Sequence, residues 1–297
     1  MRIQIKSLFL GVIIASSCSK EMKMDKLSFD VSATNTSLIA GDSAKFNFTG
    51  NPTVITFYSG EVGSRYEFRS RVIDTSSNLQ LKFSTSTTVA TSGTLSLLVS
   101  NNFTSPVNAS NIAAASWTDI TNRANLATGT TTVASGTVSL ADFAQQNKPV
   151  FIAFKYVAAA GAIQRKWTIT GLTLDHVLAD KTYTIANMTA STPSPGWVAT
   201  DIKNPAVNWT NTMVITGSTT TATALDTEDW MIAGPIDLSR VLPDAGTPIK
   251  TIAEGMSKFP YAYKYAAKGT YNAVFVAANA NRDVQESATK SIAITVQ

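Results

Sequence analysis

Proton transfer near neutral pH calls above all for histidine, and the chain holds one, His176. Nucleophilic catalysis of the Ser-His-Asp or Cys-His kind needs such a group beside its nucleophile, so that class is nearly closed. His176 follows Leu172-Thr173-Leu174-Asp175 at what reads as a strand end, where a structural role is expected. Zinc sites need clusters of Cys and His, which this sequence lacks. Glycoside hydrolysis needs only two carboxylates about 5 to 10 Å apart; the 20 acidic residues leave that route open, although none stands in a recognisable setting. The densest acidic group is Asp226, Glu228 and Asp229. Carboxylates suit calcium, a hard ion that takes six to eight oxygens. Three residues do not fill that shell, so structural calcium is set here against a solvated strand edge. No catalytic residue and no other cofactor is assigned.

Binding chemistry is easier to place. A sugar ring offers a face of C–H groups to an aromatic ring, while its hydroxyls seek polar partners. Trp197 follows Pro193-Ser194-Pro195-Gly196 and is expected on a loop, as is Trp209 between Asn208 and Thr210-Asn211; both are candidate glycan platforms. Trp117 stands between a platform and a core role. Trp167 and Trp230 lie inside alternating strand patterns and are expected in the core, and Tyr261, Tyr263 and Tyr265 are expected to cover one face of a sheet.

The one cysteine, Cys18, comes after an apolar run from Leu8 to Ala15 and the small residues Ser16 and Ser17, with Arg2 and Lys6 before the run. The run is too short for the roughly 20 apolar residues that span a bilayer and reads as a cleaved export signal. Cys18 then sits where a bacterial lipoprotein carries its acyl chains. The alternative is an ordinary secretory signal cleaved near Ser17. Either way no internal disulfide is available, so burial of apolar surface must hold the fold.

With 24 basic residues, two of them in the signal, against 20 acidic ones, the charge balance gives no reason to expect a nucleic-acid partner. Only 15% of residues are charged, and the abundance of Ser, Thr and Asn suits β-structure and uncharged ligands. Alternating apolar positions recur between Gly, Pro, Asn and Ser clusters: Ala44, Phe46 and Phe48; Trp167 and Ile169; Ile292, Ile294 and Val296. That period marks strands, and the chain is expected to be all-β. Leu172 and Leu174 break the parity of Trp167 and Ile169, so Gly171 is expected to mark a bulge. One helical turn is expected over 141–146.

The stretch 41–60, Gly-Asp-Ser-Ala-Lys-Phe-Asn-Phe-Thr-Gly onward to Ile-Thr-Phe-Tyr-Ser-Gly, resembles the first half of a PKD-type immunoglobulin-like sandwich. The second half resembles Tyr263-Lys264-Tyr265 with Gly269-Thr270-Tyr271. Neither half alone buries both faces of a sandwich. Residues 27–60 and 246–297 are therefore expected to form one split domain. Between them, 61–245 is similar to the jelly-roll modules called cleaved-adhesin or choice-of-anchor domains. That likeness rests on Leu79–Phe83, Gly93–Phe103, Trp117–Ile120, Val150–Tyr156, Lys166–Ile169 and Thr227–Leu238, the last in an unusual late position. Residues 1–17 are read as signal and 18–26 as tether. Ser19-Lys20-Glu21 resembles the Lys-acidic export tag of Bacteroidota surface lipoproteins, and Asp42-Ser43-Ala44 resembles their O-glycosylation site, with Ser43 as acceptor.

As a whole, residues 18–297 are similar to uncharacterised Bacteroidota lipoproteins of a domain of unknown function found beside SusC-like and SusD-like glycan uptake components. The resemblance implies a glycan-capturing lipoprotein of the outer membrane, facing the cell exterior, with a polysaccharide or oligosaccharide ligand and a SusC/SusD-like transporter partner; the lipid signal, the neutral polar composition and the single histidine make a non-enzymatic role the leading expectation. Two other readings stay open: an adhesion or scaffold lipoprotein with protein partners, and a carboxylate-based glycoside hydrolase.

Overall fold

The structure is a computed structural model that describes residues 25–75, 78–145, 148–188, 196–255, 260–282 and 284–297. Cys18, the signal and nearly all of the tether lie outside them. The described chain is nearly all β, with one short α-helix, Ala109–Ala114, and no helix among the described residues is long and apolar enough to cross a membrane. It falls into two compact units: the residues up to Gly60 together with Gly246–Gln297, and Glu61–Ala245.

The first unit is a sandwich of two sheets. One has the order Phe29–Ala33, Ser43–Gly50, Tyr261–Lys264, and the other the order Thr247–Lys250, Val54–Tyr58, Gly269–Ala280, Gln285–Val296, Ser37–Leu38. Both sheets draw on both ends of the sequence. Val274 pairs with Tyr58 and Tyr261 with Phe46, so neither end of the chain completes a sheet without the other. Alternation supplies the core. Ala44 and Phe46 are fully buried, and the Phe275 ring lies 4.9 Å from both Phe46 and Phe57. Tyr261 and Tyr263 pack edge-on against Phe57. Tyr265 is wholly buried and donates its hydroxyl to the Ser59 carbonyl at 3.0 Å, which satisfies the phenol where water cannot reach it.

The second unit also has two sheets. The five-stranded sheet runs Val198–Lys203, Thr227–Ile236, Val150–Ala158, Thr94–Ser100, Thr118–Asp119. The six-stranded sheet has the path Thr182–Asn187, Lys166–Val177, Leu79–Thr87, Val133–Ala134, with Val214–Thr216 added on Lys166–Val177 and Val138–Ser139 on Leu79–Thr87. Leu95, Leu97, Val99, Ile152 and Phe154 from the first sheet meet Leu81, Phe83, Trp167, Ile169 and Leu174 from the second in one core. Gly171 has φ +61°, and the register shifts between Thr170 and Thr173. The bulge lets Trp167, Ile169, Leu172 and Leu174 all face inward despite their broken parity. The expected helical turn is a 3-10 turn, Ala141–Phe143.

The ends of this unit are held together. Ala245 donates its N–H to the Gly63 carbonyl at 3.0 Å. The buried Asp244 carboxylate accepts from the N–H groups of Gly63 and Arg65 and from Arg65 Nε. Burial opposes its charge, yet the Arg65 guanidinium and these donors hold Asp244 below the usual carboxylate range. An insertion whose termini meet costs the host loop little closure entropy.

Candidate functional site

The outer faces of the two sheets in the second unit differ in kind. On the five-stranded sheet, Leu98, Phe151, Ala153, Trp230 and Ile232 point outward, and the excursion after Ser100 folds over them, bringing Phe103, Ile112 and Trp117. Phe103 lies 4.9 Å from Phe151, and Trp117 lies 5.1 Å from Trp230. Asn108 caps the helix on this excursion by accepting from the Asn111 N–H at 2.8 Å. At the rim of this cover, Lys155 pairs with Glu228 at 3.1 Å and lies over the Trp230 ring. Partial burial raises the Glu228 pKa, but hydrogen bonds from Trp230 and Lys155 outweigh it and hold the carboxyl below its ordinary value.

On the six-stranded sheet no such cover lies among the described residues. Strand Lys166–Val177 presents Lys166, Thr168, Thr170 and Thr173 outward, paired across from Ser86, Ser84 and Lys82 on Leu79–Thr87. Asn187 stands opposite Thr173 on the other side. Two grooves open along this strand: one of about 180 Å³ between Ser86, Thr88, Thr130, Lys166 and Thr168, the other of about 430 Å³ at the bulge, between Thr170, Gly171, Thr173, Asn187, Met188 and Thr212. From Lys166 to Thr173 they form a track about 20 Å long at ~3.3 Å per residue. Among the described residues, no carboxylate lines either groove. Hydroxyls and an amide can both give and accept hydrogen bonds, which matches a ligand rich in hydroxyl groups.

The tryptophans expected to serve as platforms are placed otherwise. Trp209 is 5% exposed and belongs to the core between the sheets, because its backbone bridges to Ile215 and carries the side chain inward. Trp117 is the lid over Trp230, its indole donating to the Ile112 carbonyl at 3.2 Å. Trp197 is half-buried, with its ring 5.9 Å from Phe154. Its indole N–H reaches the carbonyl of Asn187 at 3.4 Å, so Trp197 braces a groove wall and offers no open platform. Trp167 and Trp230 are buried. Ser43 is exposed at the start of its strand.

The acidic trio Asp226, Glu228 and Asp229 does not converge, because neighbours on a strand point to opposite faces. Asp226 accepts from the Ala160 N–H, Glu228 faces outward to Lys155 and Trp230, and Asp229 is turned into the sandwich with no exposure. Among the described residues, no group of three or more His, Cys, Asp or Glu is placed to hold a metal. His176 is fully buried with Nε2 3.8 Å from Asp74 Oδ1.

One pairing escaped the sequence. Asp229 stands directly across from Asp201 on one side and Tyr156 on the other. Neither Asp229 oxygen meets a donor among the described residues. Burial first, and then the charges of Asp201 and Glu228, push the Asp229 carboxyl up to about 8. It is a sealed acid that a substrate does not reach. Strand alternation would have revealed its inward direction; its partner came only with the pairing of two strands distant in sequence.

The comparisons with known proteins speak to the chain as a whole. No curated protein and no solved structure matches it. Residues 17–195 match the family described as Domain of unknown function (DUF5017), a stretch that starts beside Cys18, takes in the N-terminal part of the first unit and runs through most of the second. The chain belongs to this family of unknown function.

Proposed function

We propose that this protein is a non-enzymatic lipoprotein, acylated at Cys18 and displayed on the outer membrane, that captures polysaccharide or oligosaccharide for a SusC/SusD-like transporter. The observation that carries the reading is the hydroxyl-lined face of the six-stranded sheet, left uncovered by the described residues, with its two grooves along one strand. A hydroxyl hydrogen bond is worth about 1 kcal/mol net. A handful of them gives a submillimolar site, enough for a polymer that presents the same unit many times over. Sealing of Asp229 inside the sandwich supports capture over hydrolysis.

Affinity electrophoresis of the full chain in gels containing a broad set of glycans tests the reading. Retardation by at least one glycan is expected, and it should disappear in a Thr170→Val, Thr173→Val, Asn187→Ala triple variant of unchanged melting temperature. Absence of retardation throughout the set overturns the proposal. Intact mass of the native product tests the anchor, with a diacyl or triacyl addition at Cys18 as the expected result.

A further inference from the structure

The open face carries a charge pattern that its ligand must answer. Most other basic side chains of the second unit are neutralised or stacked: Arg65 by Asp180 and Asp244, Arg71 by Asp74, Arg123 by Asp142, Lys155 by Glu228, with Arg69 and Lys181 lying over tyrosine rings. On the open face Lys166 lines one groove, and Lys82 pairs across from Thr173, which lines the other. Both are exposed, and neither joins an ion pair among the described residues. Arg165, next to Lys166, reaches the carbonyls of Thr88 and Thr128, at 3.2 and 3.5 Å, and meets no carboxylate among the described residues. The nearest acid along the strand is Asp175, past the far end of the track, where it accepts from Thr184 at 2.7 Å and from Thr173 at 3.4 Å.

Resting on the glycan reading of this face, we infer that its ligand class is an anionic polysaccharide, whose acidic groups pair with Lys166 and Lys82 while its hydroxyls bond to the threonines between. The two lysines stand at opposite ends of the track, their backbone positions about 20 Å apart at ~3.3 Å per residue. That distance exceeds the roughly 10 Å screening length at 0.1 M salt. Each cation therefore acts on its own acidic group, and a chain that bears a charge every few sugars engages both.

Two matched pairs of polymers test this with the full chain: polygalacturonate against its methyl ester, and dextran sulfate against dextran. Binding to polygalacturonate alone identifies a carboxylate ligand, and binding to dextran sulfate alone a sulfate. In either case the charged polymer is expected to bind at least tenfold tighter than its uncharged partner, to weaken as salt rises, and to lose at least tenfold in a Lys82→Gln, Lys166→Gln double variant. A Lys45→Gln, Lys268→Gln variant removes the same charge from the first unit and should leave binding unchanged. Equal binding of charged and uncharged polymers, or an equal loss in both double variants, overturns the anionic class while the glycan reading survives. No binding to these polymers or to any in the broader set removes both.

Discussion

The two sheets of the second unit share one core, yet their outer faces had opposite fates. Strand Val150–Ala158 begins Val-Phe-Ile-Ala-Phe, apolar at every position, and both of its faces are buried. Strand Lys166–Val177 begins Lys-Trp-Thr-Ile-Thr, strictly alternating, and only its inner face is buried. A strand that is apolar on both sides demands a second cover, and the excursion through Phe103, Ile112 and Trp117 supplies it. An alternating strand leaves its polar side to solvent and hence to ligands. In this protein stability resides on one outer face and the opportunity for binding on the other.

The contrast can be broken most severely at Trp230. Truncation to alanine empties the space beneath Trp117 and should cost about 3–5 kcal/mol, read as a fall in the urea midpoint. A smaller cost would mean that the excursion collapses to fill the gap. A second effect, of a few kcal/mol, belongs to Asp229 on the same doubly buried strand. Its folded-state pKa is raised from 3.8 to about 8, so the folded chain holds a proton that the unfolded chain releases. The stabilising contribution is full below the unfolded value and is lost as pH rises from about 4 to 8. Asp229→Asn should abolish that part of the decline in thermal melts; an unchanged pH profile would show that Asp229 ionises freely.

Removing the cap at Asn108 with alanine should cost about 1 kcal/mol and loosen the cover. Hydrogen exchange at Asn111 and Ile112 should rise before exchange in the sheet does, and uniform exchange would contradict a separately held lid. The smallest effect is expected on the open face. Ser84→Ala with Thr168→Ala should change stability by less than about 0.5 kcal/mol each, and a larger loss would mean that this face is structural after all.

Much of this was legible from residue types alone. Alternation announced the strands that carry Ala44, Phe46 and Phe48, and the change of parity around Gly171 announced the bulge that shapes the larger groove. The helix Ala109–Ala114 could also have been read from Asn108 at its N-cap, with Pro106 just before it. The tryptophans misled, because a Gly-Pro or Asn-rich neighbourhood tells that the backbone turns but not where the indole then goes. Trp209 was carried into the core by a backbone bridge to Ile215, and Trp197 was set against Phe154.

By itself the sequence determined the all-β class and the inward and outward sides of the alternating strands, since these follow from residue type and a period of two. Only the tertiary structure decided which strands became neighbours. That choice placed Asp201 beside Asp229, laid the Phe103–Trp117 excursion over one sheet and left the threonines of the other in the open. Pairing between distant strands depends on how the whole set of apolar faces can be buried at once, and no local pattern encodes it.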